Sequence, residues 1–134
     1  MILASGCFDG LHIGHVRYLQ AAARLNPCER LVVAVASDRY MCAKKQRYPI
    51  WAELDRATVV AGLSCVSRAV LHGEDGAADV ILDLKPDIFV KGIDWEHGIP
   101  LDVRAACETV GAQIVIVDSG IARHTSDVVP PLVA

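Results

Sequence analysis

The run LVVAVA, residues 31–36, constrains the fold of this chain more than any other stretch. It is apolar at every position, so a strand built from it has no face to offer to water. Such a strand is covered on both sides, which is the situation inside a parallel sheet sandwiched between helices. The flanking sequence agrees. Met1–Ser5 reads as a short strand, and Ile13–Leu25 carries Val16, Leu19, Ala22 and Ala23 at helical spacing before Asn26-Pro27 stops it. Ser37–Pro49 is polar and basic and reads as a loop. Ile50–Leu63 reads as a helix with Leu54, Ala57, Val60 and Ala61 on one side. Strands at Ala69–Leu71, Asp87–Val90 and Gln113–Val117 then alternate with helices at Asp75–Leu84 and Leu101–Val110, the latter closed by Gly111. Lys91–Pro100 reads as a loop, and Thr125–Val129 as a last helical turn cut off by Pro130-Pro131.

Five strands separated by helices imply an α/β protein: a Rossmann-like, doubly wound, five-stranded parallel sheet in a three-layer sandwich. At 134 residues the chain is expected to form one domain, residues 1–134, with no internal repeat or linker. In such sheets ligands bind beyond the carboxyl ends of the strands, where the strand order switches. The loops 6–15 and 91–98 each follow a strand and fall at that edge.

Composition narrows the function. Hydrophobic residues make up 53% of the chain, which excludes a disordered segment. A net charge of -3 argues against bulk nucleic-acid binding but not against a local cationic pocket. No apolar run is long enough to span a bilayer, and MILASG lacks the basic region of a signal peptide. The five cysteines are odd in number and widely spaced, as expected of free thiols in a reduced, cytoplasmic protein.

The chemistry concentrates in GCFDGLHIGH, residues 6–15. Gly6 and Gly10 relax the chain between strand and helix, and Gly14 permits close approach to the backbone. The helix entering near Ile13 turns its unpaired amides towards the loop, which favours an anion. His12 and His15 lie on the same side of that first turn, where two imidazoles can donate to phosphate oxygens. One histidine near a helix start is ordinarily a spectator; two of them in a glycine-rich turn after a strand point to phosphate binding. The stretch is neither a GxGxxG fingerprint nor a GxxxxGK[ST] loop. A metal held by the two histidines lacks an obvious third ligand, unless Asp9 serves.

GCFDGLHIGHVRYLQAA resembles the HxGH signature of the cytidylyltransferase-like nucleotidyltransferases, and the resemblance runs from Ile2 to about Val129. It implies transfer of a nucleoside monophosphate from a nucleoside triphosphate to a phosphate-bearing acceptor, with release of pyrophosphate. By the same resemblance His12 and His15 would be catalytic, contacting the nucleotide phosphates, and Lys44 in KKQR would reach the phosphates too, with Lys45 a near-equal candidate. Gly6, Cys7, Phe8 and Gly14 would shape the nucleotide site. Asp9, Arg47 and Arg56, the last two in RYPIWAELDR, would lie on the acceptor side. VKGIDW is similar to the VKGGDY segment of heptose 1-phosphate adenylyltransferases, which would put Lys91, Gly92 and Asp94 near the nucleoside. HTSDVV is similar to the STTNII segment, so that Thr125 and Ser126 would hold the β- and γ-phosphates.

The chain departs from the family in three places. His124 stands where the first serine of STTNII would be, Ser119 stands where glycerol-3-phosphate cytidylyltransferases carry an arginine, and Pro130 shortens the closing helix. The missing arginine weakens the cytidylyl reading and VKGIDW favours ATP and a sugar 1-phosphate over CTP and glycerol phosphate or a similar alcohol phosphate, while the shortened helix bears on the phosphate site at Thr125 and Ser126. The altered HTS segment leaves open a nucleotide-binding module that has lost turnover. Magnesium is expected to escort the triphosphate, and Asp9 or Asp94 could hold it through waters. No metal ligand set is assigned, no nucleic-acid or membrane partner is expected, and a homodimer is usual among small family members. Lys44, Lys45 and Arg47 could equally be a solvated cluster, Trp95 either packing or a cover for base or sugar, and His72 and His97 have no evident role.

Overall fold

The computed structural model describes residues 1–95 and 98–119, without the side chain of Asp94. Its strands are β1 (Ile2–Gly6), β2 (Leu31–Ala36), β3 (Arg68–His72), β4 (Ile88–Gly92) and β5 (Gln113–Val117). Its helices are α1 (Ile13–Arg24), α2 (Asp38–Lys45), α3 (Glu53–Ala61), α4 (Ala77–Leu84) and α5 (Leu101–Val110), with one 3-10 turn at Ile93–Trp95. The five strands form one parallel sheet in the order β3-β2-β1-β4-β5. The chain moves outward from β1 through β2 to β3, then crosses back to β4 on the other side of β1. The switch point is therefore the crevice between β1 and β4, where Ala4 pairs with Val90.

Every residue of LVVAVA is buried, as its composition requires. Leu31, Val33 and Val35 face a core shared with Ile2, Ala4, Val90, Leu19 and Ala22 of α1 and Val60 of α3. Val32 and Ala34 face the opposite core, with Leu3, Phe89, Ile81 of α4 and Val103 and Ala106 of α5. The period-2 alternation of a strand thus feeds two separate apolar layers, one per face. Each fully buried Leu, Ile or Phe in them contributes roughly 1.5–3 kcal/mol.

The structure corrects the segment 37–49, which is not all loop. Ser37 caps a short helix, its side chain accepting from the Tyr40 N–H, and Lys44 and Lys45 complement the carbonyl end before Gln46 closes it in the left-handed region. Only Met41 of this helix is buried, so α2 has no apolar stripe for a periodicity argument to find. The next helix starts at Glu53 and not Ile50. The reason is tertiary: the N–H groups of Ile50 and Trp51 donate to the carboxylate of Asp9 at 2.9 and 3.0 Å, holding the chain out of a helix. Gly76, at φ +82°, delays α4 to Ala77, and β4 continues through Lys91 and Gly92. The anticipated turn at Thr125–Val129 lies outside the described residues.

Candidate functional site

β1 ends beside β4, and the chain turns back over the sheet through Cys7 and Phe8. Phe8 is buried yet sits at φ 52°, a strained conformation for a bulky residue. Its ring lies back over Gly6, where an added Cβ would fall 2.9 Å from two ring carbons. Gly6 is therefore required by a close approach and not only by chain flexibility. The other edge of Phe8 meets the His15 ring, centroids 5.2 Å apart and planes at 64°. Phe8 thus supports a histidine from beneath.

The two histidines form the cap of α1. The Gly14 N–H donates to His12 Nδ1 at 3.1 Å, and the His12 N–H donates to His15 Nδ1 at 3.2 Å. This reciprocal pair does what Ser and Glu do in an ordinary capping box. It also settles the chemistry of the rings. A nitrogen that accepts a backbone N–H carries no proton, so each neutral imidazole is protonated at Nε2 and is a donor there. The rings are stacked, centroids 3.8 Å apart. The two rings thus stand at the positive end of a 12-residue helix, where backbone amides and dipole favour an anion.

Lys91 arrives at the same crevice from the end of β4. It is only 6% exposed, and its ammonium donates to the Ser5 carbonyl at 2.8 Å and to Ser5 Oγ at 3.3 Å. Its charge also lies 4.0 Å from the centroid of Trp95, which packs against the α4–α5 core as well. Across the crevice, the Tyr18 hydroxyl of α1 donates to the Val90 carbonyl at 2.8 Å, tying helix to strand.

These groups border a cleft of about 700 Å³ over the carboxyl edge of the sheet. Of the residues singled out from the sequence, Gly6, Cys7, Phe8, Asp9, His12, Gly14, His15, Lys44, Arg47, Lys91 and Gly92 all line it, and so does Lys45. Thr125 and Ser126 lie outside the described residues, as does the side chain of Asp94. Two readings require correction. Arg56 does not line the cleft. It is 1% exposed, and its guanidinium donates to the carbonyls of Trp51, Cys7 and Ala36 at 2.7–2.8 Å and to Asp38 at 2.8 Å. Arg56 is a strut under the site and not a hand for the acceptor. Asp9 touches the cleft wall, but its two oxygens accept from Ile50, Trp51 and the Arg47 guanidinium, the last at 3.2 Å. It holds the 47–51 segment against the first loop.

The cleft also has residues to which the sequence assigned no role. His72, at the end of β3, is buried and packed edge-on against Tyr40, centroids 4.7 Å apart. Its Nδ1 lies 3.2 Å from the Gly73 carbonyl and must be the donor there. Burial holds its pKa below the ordinary histidine value, with Lys91 and Arg56 acting in the same direction against the weaker effect of the Gly73 bond. Asp75 and Asp102 line the cleft as well. The strand-end rule, applied to β3 as it was to β1 and β4, points to His72; Tyr40 was hidden by the missed helix.

Residues 3–129 match the cytidylyltransferase-like family. The chain belongs to that family, which comprises nucleotidyltransferases. It is 35% identical over 133 residues to the bifunctional protein HldE of Methylobacillus flagellatus, and 46% identical over 110 residues to the bifunctional protein HldE of Helicobacter pylori strain J99. These alignments cover 98% and 81% of this chain but 27% and 23% of those proteins, so the chain spans about a quarter of their length. Among solved structures it is similar to a lipopolysaccharide core biosynthesis protein from Thermoplasma volcanium, with TM-score 0.71 and 29% identity over 92% of this chain and 96% of that one. The chain is thus a nucleotidyltransferase by family, and its parallel sheet matches that of this structural neighbour. Among the described residues no helix is long and apolar enough to cross a membrane.

Proposed function

We propose that this domain transfers an adenylyl group from ATP to the phosphate of a sugar 1-phosphate and releases pyrophosphate. The observation that carries this reading is the pair of stacked imidazoles, each with its proton at Nε2, over the start of α1 beside the buried Lys91. An acceptor phosphate oxygen attacks the α-phosphorus. The bond from that phosphorus to the oxygen bridging to the β-phosphorus breaks, and pyrophosphate leaves with its electron pair. The reaction needs no enzyme nucleophile and no general base, because the attacking oxygen is already ionised. What it needs is alignment of two anions and neutralisation of charge growing on the phosphoryl oxygens. His12, His15 and Lys91 supply donors at the crevice, and Lys44, Lys45 and Arg47 add positive charge at the rim of the cleft.

Magnesium belongs to this proposal as the companion of the triphosphate. Among the described residues no three carboxylate, histidine or cysteine groups converge as a ligand set, and Asp9 has its oxygens engaged by the 47–51 segment. The ion would be held chiefly by phosphate oxygens and would supply charge neutralisation. Family membership supports a nucleoside triphosphate, and the resemblance of VKGIDW to the VKGGDY segment supports ATP and a sugar phosphate; the odd, widely spaced cysteines support a reduced, cytoplasmic setting.

Pyrophosphate release, measured with each of the four nucleoside triphosphates and a panel of sugar 1-phosphates and alcohol phosphates, tests the reading. Release with ATP and a sugar 1-phosphate, abolished by chelator, is expected. Release only with CTP and an alcohol phosphate would replace it with cytidylyl transfer. Tight nucleotide binding without release under any pairing would make this a binding module.

A further inference from the structure

The cleft is polarised by the tautomers of its histidines. At the β1–β4 end, His12 and His15 accept backbone N–H groups at Nδ1 and are donors at Nε2. At the β3 end, His72 has the reverse arrangement. Its Nδ1 faces a carbonyl, which can only accept, so the proton is on Nδ1 and the Nε2 of the neutral ring is an acceptor. Among the described residues every side-chain nitrogen or oxygen sealed from solvent has a hydrogen-bond partner. The Nε2 of His72 has none among them and therefore opens into the cleft its residue lines. A residue only 4% exposed thus keeps one acceptor turned to the cavity. The edge-on Tyr40 ring fixes its orientation. Asp75 and Asp102 also line the cleft.

The Nε2 acceptor offers nothing to an ionised phosphate oxygen, which is an acceptor itself. A hydroxyl-rich group suits it, because each hydroxyl is a donor. His72 pairs in register with Ala36 of β2, and Val35 of that strand with Gly6 of β1. The strand ends that carry His72 and Gly6 are therefore about two strand spacings apart, roughly 10 Å between backbones, a separation on the scale of a sugar phosphate. We propose that His72 Nε2 is the specificity-determining acceptor for a hydroxyl of the sugar whose phosphate attacks at the imidazole pair. This assignment rests on the sugar-phosphate reading above and adds the residue that distinguishes a polyol from other phosphate-bearing acceptors.

The test uses His72→Phe, which retains a ring against Tyr40 but removes the acceptor, and His72→Gln, which restores an acceptor oxygen. With saturating ATP, His72→Phe is expected to raise the KM for the sugar 1-phosphate about tenfold, the cost of one unmet hydrogen bond, with the ATP dissociation constant unchanged. His72→Gln is expected to recover part of that loss. In a series of monodeoxy sugar 1-phosphates, one analogue should bind the wild type about tenfold more weakly and bind His72→Phe no more weakly than the parent sugar does. Equal discrimination by wild type and variant, or an equal effect on ATP, would overturn the assignment while leaving adenylyl transfer intact. Calorimetric titration of the parent sugar 1-phosphate into both proteins separates the two levels. Binding without turnover that still depends on His72 supports the assignment alone, and absence of both binding and turnover sinks it together with the function it rests on. If His72→Phe melts far below the wild type, the Gln variant and the deoxy series carry the decision.

Discussion

Replacing Arg56 separates a strut from a substrate contact. In the folded chain this guanidinium joins four segments: the turn after β1 through Cys7, the end of β2 through Ala36, the start of α2 through Asp38, and the approach to α3 through Trp51. Arg56→Ala leaves three carbonyl oxygens without their donor and opens a cavity where a fully buried side chain stood. An unmet buried acceptor costs about 1–3 kcal/mol, and water admitted to the cavity recovers part of it. The Asp38 carboxylate is 39% exposed and is largely rehydrated, so its lost ion pair adds little. We expect a total of about 3–5 kcal/mol, the range found when a buried charge-assisted contact loses one partner. That is a large share of the roughly 5–15 kcal/mol that keeps a domain folded. The assay is urea denaturation followed by tryptophan fluorescence. With a slope near 2 kcal/mol per molar, the midpoint should fall by about 2 M. Arg56→Lys, which keeps the charge but not the planar fork, should lie between the two. A midpoint within about 0.3 M of wild type, together with a large rise in acceptor KM, would refute the strut argument and return Arg56 to the binding site.

Three further outcomes are expected. His12→Ala should lower stability by about 0.5–2 kcal/mol through loss of the α1 cap and turnover by about 10²–10³; His12→Asn, a good cap without an imidazole, should recover the stability and not the turnover, so an active Asn variant would remove that ring from the chemistry. Gly6→Ala drives a methyl into the Phe8 ring and should cost about 1–3 kcal/mol along with activity, because Phe8 supports His15; thermal melts and pyrophosphate release check both, and an unaffected protein would mean that the turn yields freely. Because His72 is held below its usual pKa of 6.5, the unfolded chain takes up a proton there that the folded one refuses. Its contribution to stability is present above pH 6.5 and declines as pH falls below it, with a slope of at most about 1.4 kcal/mol per pH unit. The curve for His72→Phe should lack that decline, and parallel curves from pH 7.5 to 5 would contradict the burial argument.

The layered sheet was legible because its causes are local. LVVAVA can be satisfied only between two apolar layers, and the helical spacings of 13–25 and 101–110 supply two of the covers. His12 and His15 were legible for the same reason: the strand end, the glycine turn and the helix start lie within a few residues of one another. Lys91 was legible once a strand was seen to end at it.

What escaped the sequence depends on partners remote along the chain. Nothing near Arg56 reveals that Cys7 and Ala36 will turn their carbonyls to it. Nothing near Ile50 says that Asp9 will take its N–H and delay a helix. Proton positions on imidazoles are decided in the same way, by whether a folded neighbour presents an N–H or a carbonyl. The residues alone determined a parallel sheet with a histidine-bearing helix start at its rim; only the tertiary structure decided which charges became struts, which faced the cleft, and that its two ends offer opposite hydrogen-bonding characters. Apolar periodicity is a property of neighbours in sequence, whereas a hydrogen-bond partner is assigned by whichever segments the closed sheet brings side by side.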